Sequence, residues 1–326
     1  MVSFLAGFLL LAGCGGLSHT EVAQLARHPI DETRMSDHPE KGYVPTGVWR
    51  VRGIHNTVYL IGTSHVIDDD AIPFPSSFYA AYAKSQIIYV EFNVDLSWWT
   101  KLRLMPRMVK WVKAHADVLV VPRGQTLSNY LSADTLAELH QRFGKDFSRE
   151  HMTPALLLLQ NEMGALDAKD GLKPSGVEDP FTALARRDHK RLRELDDGDV
   201  IETALLALDQ VIGGYQRDIA QRGADAVVRE ALLNNPSELD TVWRHGDLVA
   251  GARVQEEMKK ESEELYDKAL RTRNRHWMQK LEPLLHGHKS ALVLVGAAHL
   301  PGEDGLLHLL REAGFSPEQM YGVDRP

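Results

Sequence analysis

The chain places short apolar runs near both of its ends and helix-spaced apolar positions between them. Residues 47–53 alternate in polarity, and Ile54-His55-Asn56 turns the chain into the apolar run 57–61, the pattern of a β-hairpin. Residues 87–90 and 291–295 are two further β-branched and aliphatic runs of strand length. Between the first two runs, residues 73–85 carry Phe78, Tyr79 and Tyr82 at helical spacing, so strand, helix and strand fit in about thirty residues, the length of a βαβ unit. A further short strand is expected over 118–122. Helices are expected over 132–143 with Ser132 as N-cap, over 153–167 with Pro154 at the first position, and over 181–195, 200–219, 224–233, 238–248 and 254–285. These elements predict an α/β fold of the α+β kind, with a mixed β-sheet from the N- and C-terminal strands and a large helical middle.

Two of the apolar runs end in the same four-residue pattern. The first is Gly62-Thr63-Ser64-His65 and the second Gly296-Ala297-Ala298-His299. With 25 Gly and 15 His, chance supplies roughly one Gly-x-x-His in a chain of 326 residues. A third copy, Gly305-Leu306-Leu307-His308, lies among leucines at helical spacing, and His308 there reads as structural. The first two share a strand context, which puts each His just beyond the C-terminal end of a strand, where open α/β sheets place their ligands. Glu91 closes the run 87–90, and a carboxylate there is costly unless something pairs with it. A parallel neighbour strand would bring Glu91 to the same edge as His65.

These pieces together resemble the TraB/GumN family, which includes the TIKI-type membrane-tethered metalloproteases. The resemblance covers about residues 46–326. It rests on Gly62 to His65, Glu91, Arg273-Asn274 and Gly296 to His299, with His299-Leu300-Pro301-Gly302, Gly305-Leu306-Leu307 and Gly314-Phe315 as the tail. Gly176-Val177-Glu178 also looks like a central segment of the family, although Glu178 stands where the family usually has Asp.

Two imidazoles and a carboxylate are a common ligand set for a catalytic divalent metal with an open position, so His65, Glu91 and His299 are the expected metal ligands. The resemblance implies Mn²⁺ or Co²⁺, with Zn²⁺ as a further candidate. It also lifts Arg273 out of the cluster Arg271, Arg273, Arg275 as a group for a substrate carboxylate or a developing oxyanion. Gly62, Ser64, Asn274 and Gly296 are supporting residues: the glycines admit close approach, and the polar groups orient a ligand. The expected activity is metal-dependent hydrolysis of the metallopeptidase kind, on peptide or protein substrates. Two alternatives stand beside it. One is a non-enzymatic metal- or haem-binding lipoprotein. The other is metal-free, esterase-type hydrolysis with His65 as general base and Glu91 as its partner.

Composition narrows the classes. Apolar content of 44% and charged content of 25% suit a globular domain. A net charge of −8 argues against general nucleic-acid binding. Residues 1–13 are apolar and lead through Leu11-Ala12-Gly13 to Cys14, the only cysteine, which resembles a bacterial lipobox. The expectation is a signal peptide over 1–13, a lipidated Cys14 with a flexible tether over 14–45, and one catalytic domain over 46–326. The location expected is the cell envelope, on the outer membrane facing the periplasm, with the lipid as membrane anchor. Residues 96–115 form a basic amphipathic stretch with Trp98, Trp99 and Trp111, expected to break near Pro106. Its aromatic face reads as cover for the active-site cleft or the core, with an anionic membrane surface as the alternative.

Overall fold

The expected hairpin and the apolar runs 87–90 and 291–295 all become strands of one sheet. The computed structural model describes residues 34–64, 67, 72–91, 98–143, 151–162, 176–196, 200–233 and 238–324. In chain order its main elements are β1 (Val44–Arg52), β2 (Thr57–Thr63), α1 (Ser76–Lys84), β3 (Ile87–Val90), α2 (Trp98–Ala114), α3 (Ala133–Phe143), α4 (Pro154–Glu162), α5 (Glu178–Arg187) and β4 (Arg191–Glu194). There follow α6 (Val200–Arg222), α7 (Ala224–Leu233), α8 (Glu238–His245), α9 (Leu248–Glu261), α10 (Thr272–Leu285), β5 (Ala291–Gly296), α11 (Leu306–Glu312) and β6 (Pro317–Gly322). The fold is α/β, with a mixed six-stranded sheet in the order β4-β3-β5-β2-β1-β6.

The chain divides into two compact units. The described residues between 94 and 174 and between 201 and 236 form one; those between 16 and 93, 175 and 200, and 237 and 326 form the other. The sheet belongs to the second. Its four strands β4, β3, β5 and β2 are parallel, and the hairpin β1–β2 and the pair β1–β6 are antiparallel. Period-two alternation splits each central strand between two cores. Tyr59, Ile61, Ile88, Val90, Leu292 and Leu294 pack on one face, with Phe78, Phe181 and Trp243 from α1, α5 and α8. Val58, Leu60, Val293 and Val295 pack on the other, with Trp277 and Leu281 of α10 and Leu306, Leu307 and Leu310 of α11. Burial on both faces is why these strands read as unbroken apolar runs.

The smaller unit is helical. Trp111 and Val112 of α2 pack with Leu156 and Leu159 of α4 and Ile212 of α6, and Leu139 of α3 packs with Leu157, Leu158, Val227 and Val228. Among the described residues no helix is long and apolar enough to cross a membrane.

Several expected elements differ. Residues 181–195 are not one helix: α5 ends at Arg187, His189 takes a positive φ of 53°, and the chain returns as β4 against β3. The unpaired edge of β3 offers that segment a ladder, and Lys190 Nζ ties the turn to the carbonyls of Tyr82 and Ser85 at 2.6 and 2.7 Å. Residues 118–122 are not a strand. A helical turn over Ala116–Leu119 precedes a single bridge from Val120 to Met152. Helix α2 runs through Pro106 without ending there. The expected helix 254–285 is interrupted where the Ser262 hydroxyl caps a new turn by accepting from the Leu265 N–H, and a π-turn over Asp267–Arg271 comes next. Residues 163–167 of the helix expected over 153–167 lie outside the described residues. Strand β6 went unforeseen because Pro317-Glu318-Gln319 breaks its apolar pattern.

Candidate active site

The site forms where three parallel strands end together. Val90 pairs with Leu294, and Thr63 with Gly296, so β3, β5 and β2 finish on one edge of the sheet. Glu91 is the first residue past β3, and it is buried. The β4 pairing continues beyond the strand through the Leu195 and Asp196 N–H groups to the carbonyls of Val90 and Glu91, both at 2.9 Å. That ladder sets Asp196 beside Glu91. Strand β5 stops at Gly296, and the 3₁₀ turn Ala297–His299 carries His299 back over the strand end, where it is buried.

Space accounts for both glycines. A Cβ on Gly62 would sit 3.1 Å from the Ala297 Cα and 3.1 Å from Leu300 Cδ1, so this position lets the turn after β5 pack close. A Cβ on Gly296 would press on Glu91 Oε1 at 3.1 Å, the oxygen that accepts the Gly296 N–H at 2.5 Å. Ser64 comes after β2 on the same edge, and its carbonyl accepts the Val177 N–H at 2.9 Å.

Arg273 and Asn274 come from the first turn of α10. Residues two apart on a helix point to opposite sides, whereas residues four apart share a face. Arg271 and Arg275 accordingly share Asp304, while Arg273 turns inward. Its Nη2 donates to Glu91 Oε2 at 2.5 Å and to Asp196 Oδ2 at 2.7 Å, and its Nη1 lies 3.3 Å from His299 Nε2. Burial works against the guanidinium charge, but Glu91 and Asp196 outweigh it and push its pKa up. Trp277, one turn on, donates its indole N–H to Asp196 at 2.7 Å and lays its ring against His299 at 4.4 Å between centroids.

Asn274 decides the state of His299. Its amide nitrogen donates to the carbonyls of His299 and Asp304, so its Oδ1 must accept from His299 Nδ1 at 2.7 Å. The proton then resides on Nδ1, so the Nε2 lone pair accepts from Arg273 Nη1, and the same nitrogen lies 3.7 Å from Glu91 Oε1. Two donors that each sit about 2.1 Å from one ion can be at most about 4.2 Å apart, so this pair suits a shared cation. The donor chemistry suits it equally: a lone-pair nitrogen with its other nitrogen tied down, and a carboxylate fixed by a backbone N–H. Among the described residues, no three His, Cys, Asp or Glu side chains are grouped to hold a metal. His65, the third expected ligand, and Cys14 lie outside the described residues.

The structure therefore brings Glu91, Arg273, Asn274, Gly296 and His299 into one cluster. Asp196 and Trp277 belong to it and were not foreseen. No local signal marked Asp196: in Arg191-Leu192-Arg193-Glu194-Leu195 the two leucines lie three apart, a helical spacing.

Asp304 supports the cluster from behind. Burial pushes its carboxyl up, but hydrogen bonds from Arg271 and Tyr266 outweigh burial and hold it below the usual carboxylate range. A depressed carboxyl adds stability above its unfolded pKa, near 3.9, and that stability is lost as pH falls through the folded value. Asp304→Asn is expected to lower stability at neutral pH by about 1–2 kcal/mol. The gap from wild type should close under acid, as read by thermal melts across the acid range. A gap that stays constant with pH would show that the charge contributes nothing.

A model of the TraB/PrgY/gumN family matches residues 47–319. Searches of curated proteins and of solved structures found no match.

Proposed function

Since the chain belongs to the TraB/PrgY/gumN family, we propose that it is a metal-dependent hydrolase of the peptidase kind, acting on peptide or protein substrates. The observation that carries this reading is the His299–Asn274 hydrogen bond, which keeps the proton on Nδ1 and leaves Nε2 3.7 Å from a fixed, buried carboxylate. His65, Glu91 and His299 would hold the divalent ion, Mn²⁺, Co²⁺ or Zn²⁺. When bound, such an ion lowers the pKa of its water and polarises a carbonyl. The chain's own groups do the rest. Arg273 fixes the orientation of Glu91 and sets a permanent positive charge beside the reacting position, where negative charge develops on a carbonyl oxygen. Asn274 keeps the imidazole in the ligating tautomer. Asp196 and Trp277 hold the guanidinium and the ring in register. We further propose that Cys14 is lipidated and tethers the protein to the outer membrane on its periplasmic side.

One observation favours a second reading. The Arg273 guanidinium spans Glu91 and His299, the place of a cation in the cluster. Metal-free hydrolysis would use His299 Nε2 as general base with Arg273 as resident cation.

Elemental analysis beside a peptidase assay separates the two. Stoichiometric metal in the wild type is expected, with loss in His65→Ala, Glu91→Ala and His299→Ala. Chelation should stop hydrolysis, and Mn²⁺ or Co²⁺ should restore it. Hydrolysis that survives chelation selects the metal-free reading. Neither metal nor hydrolysis would end both.

A further inference from the structure

A guanidinium carries five N–H donors in a fixed fork, and on Arg273 each of them meets an acceptor. Nε donates to Asp196 Oδ1 at 3.4 Å. Nη2 donates to Asp196 Oδ2 at 2.7 Å and to Glu91 Oε2 at 2.5 Å. Nη1 donates to the Ala269 carbonyl and to His299 Nε2, both at 3.3 Å. The guanidinium also lies over the Trp277 ring, 4.6 Å from its centroid. Held this way, Arg273 lends its charge to the site but has no N–H left for a substrate oxygen.

These contacts fall into two sets. Asp196, Ala269 and Trp277 anchor the side chain from outside the expected ligands. Glu91 and His299 are expected ligands, and they differ in what they can share. Glu91 has two oxygens. Oε1 is the one 3.7 Å from His299 Nε2, and Arg273 holds Oε2, so the Nη2 bond need not break. The neutral His299 ring has one lone pair, because Nδ1 spends its proton on Asn274. That lone pair accepts from Arg273 Nη1. Ligation through Nε2 and this hydrogen bond therefore exclude each other.

We propose that Arg273 becomes a substrate-binding group only when His299 Nε2 ligates the divalent ion: the exchange frees one Nη1 N–H, and that donor takes the carbonyl oxygen of the substrate. The site then binds metal first and substrate second. The four other hydrogen bonds and the Trp277 ring keep the guanidinium in place, so no swing of the side chain is needed. This inference rests on the metal-dependent reading above and adds the order of binding to it.

The test is titration of the full chain with Zn²⁺, followed by calorimetry and by NMR of isotope-labelled arginine nitrogens. Only binding that His299→Ala lacks is counted. The Arg273 Nη1 resonance, assigned by through-bond transfer along the side chain, is expected to shift as Zn²⁺ saturates, and the Nη2 resonance to shift less. Arg273→Lys keeps the charge but loses the donor to His299. It should bind Zn²⁺ roughly ten-fold more tightly than wild type, the effect of one hydrogen bond from a charged group. Thermal melts check that this variant folds, and the wild-type spectra need no variant. Bound Zn²⁺ with an unmoved Nη1 resonance overturns the proposal and leaves the metal-dependent reading standing. A folded Arg273→Lys that binds no more tightly than wild type does the same. Absence of binding in both proteins overturns that reading, and the proposal with it.

Discussion

Replacing His299 by Ala is expected to lower kcat/KM for peptide hydrolysis by roughly 10²–10⁴-fold, the range associated with losing a positioned acid–base group. The imidazole is buried, tied to Asn274 through Nδ1 and packed on Trp277. Its removal also leaves the Asn274 Oδ1 without that donor, at a cost of about 1–3 kcal/mol in stability. A fall in activity alone would therefore be ambiguous. Asn274→Ala keeps the ring while its anchor goes, along with the donors to the His299 and Asp304 carbonyls, so thermal melts of both variants accompany the assay. With the Nδ1 proton no longer fixed, activity should fall about 10–100-fold, the usual effect of losing a residue that orients a ligand. Metal content, where metal is bound, should fall with it. Enzyme kinetics with elemental analysis on both variants checks the pair. Should Asn274→Ala keep full activity while His299→Ala loses it, the tautomer argument fails, although the His299 role survives.

Much of this cluster was legible because the chain writes it in strands. The runs 87–90 and 291–295 are apolar enough to be buried on both faces, and the residues just past such a run must sit at a sheet edge. That logic located Glu91 and His299 without knowledge of strand order. It did not show that β5 lies between β2 and β3, since strand neighbours are set by packing and not by local pattern. Asp196 was hidden for another reason. Residues 181–195 have helical spacing, and only the free edge of β3 converts their end into β4. Local propensity lost to a tertiary ladder. The interruption of α9 and α10 was hidden too. Ser262 caps a new helix start within a segment of good helix formers, and the π-turn after it changes the phase on which Arg273 points inward. Spacing alone left Arg273 in one cluster with Arg271 and Arg275; the resemblance lifted it out, and its inward direction is a finding of the structure.

The sharpest test of the cluster as a physical unit needs no substrate. Glu91 and Asp196 have side chains only 8% exposed, and Arg273, at 18%, bonds to both. Removing one partner of a buried ion pair leaves uncompensated charge behind, at a cost of about 3–5 kcal/mol, whereas removing both partners together costs far less. Arg273→Ala should therefore destabilise strongly, and here one cation serves two anions. Arg273→Lys keeps the charge but not the fork. A single ammonium cannot reproduce contacts to Glu91, Asp196 and His299 at once, so an intermediate loss is expected. The decisive variant is Arg273→Ala with Glu91→Gln, which removes one of the two stranded charges. Its loss should be smaller than the sum of the single losses by at least about 1 kcal/mol, the coupling expected of residues in direct contact. Urea unfolding of the wild type, the two single variants and the double variant measures this. Additive losses, or a loss below about 1 kcal/mol in Arg273→Ala, would fit a surface pair and not a buried one. The guanidinium would then be poorly placed to hold Glu91, and the reading of the site would lose the group that orients its carboxylate.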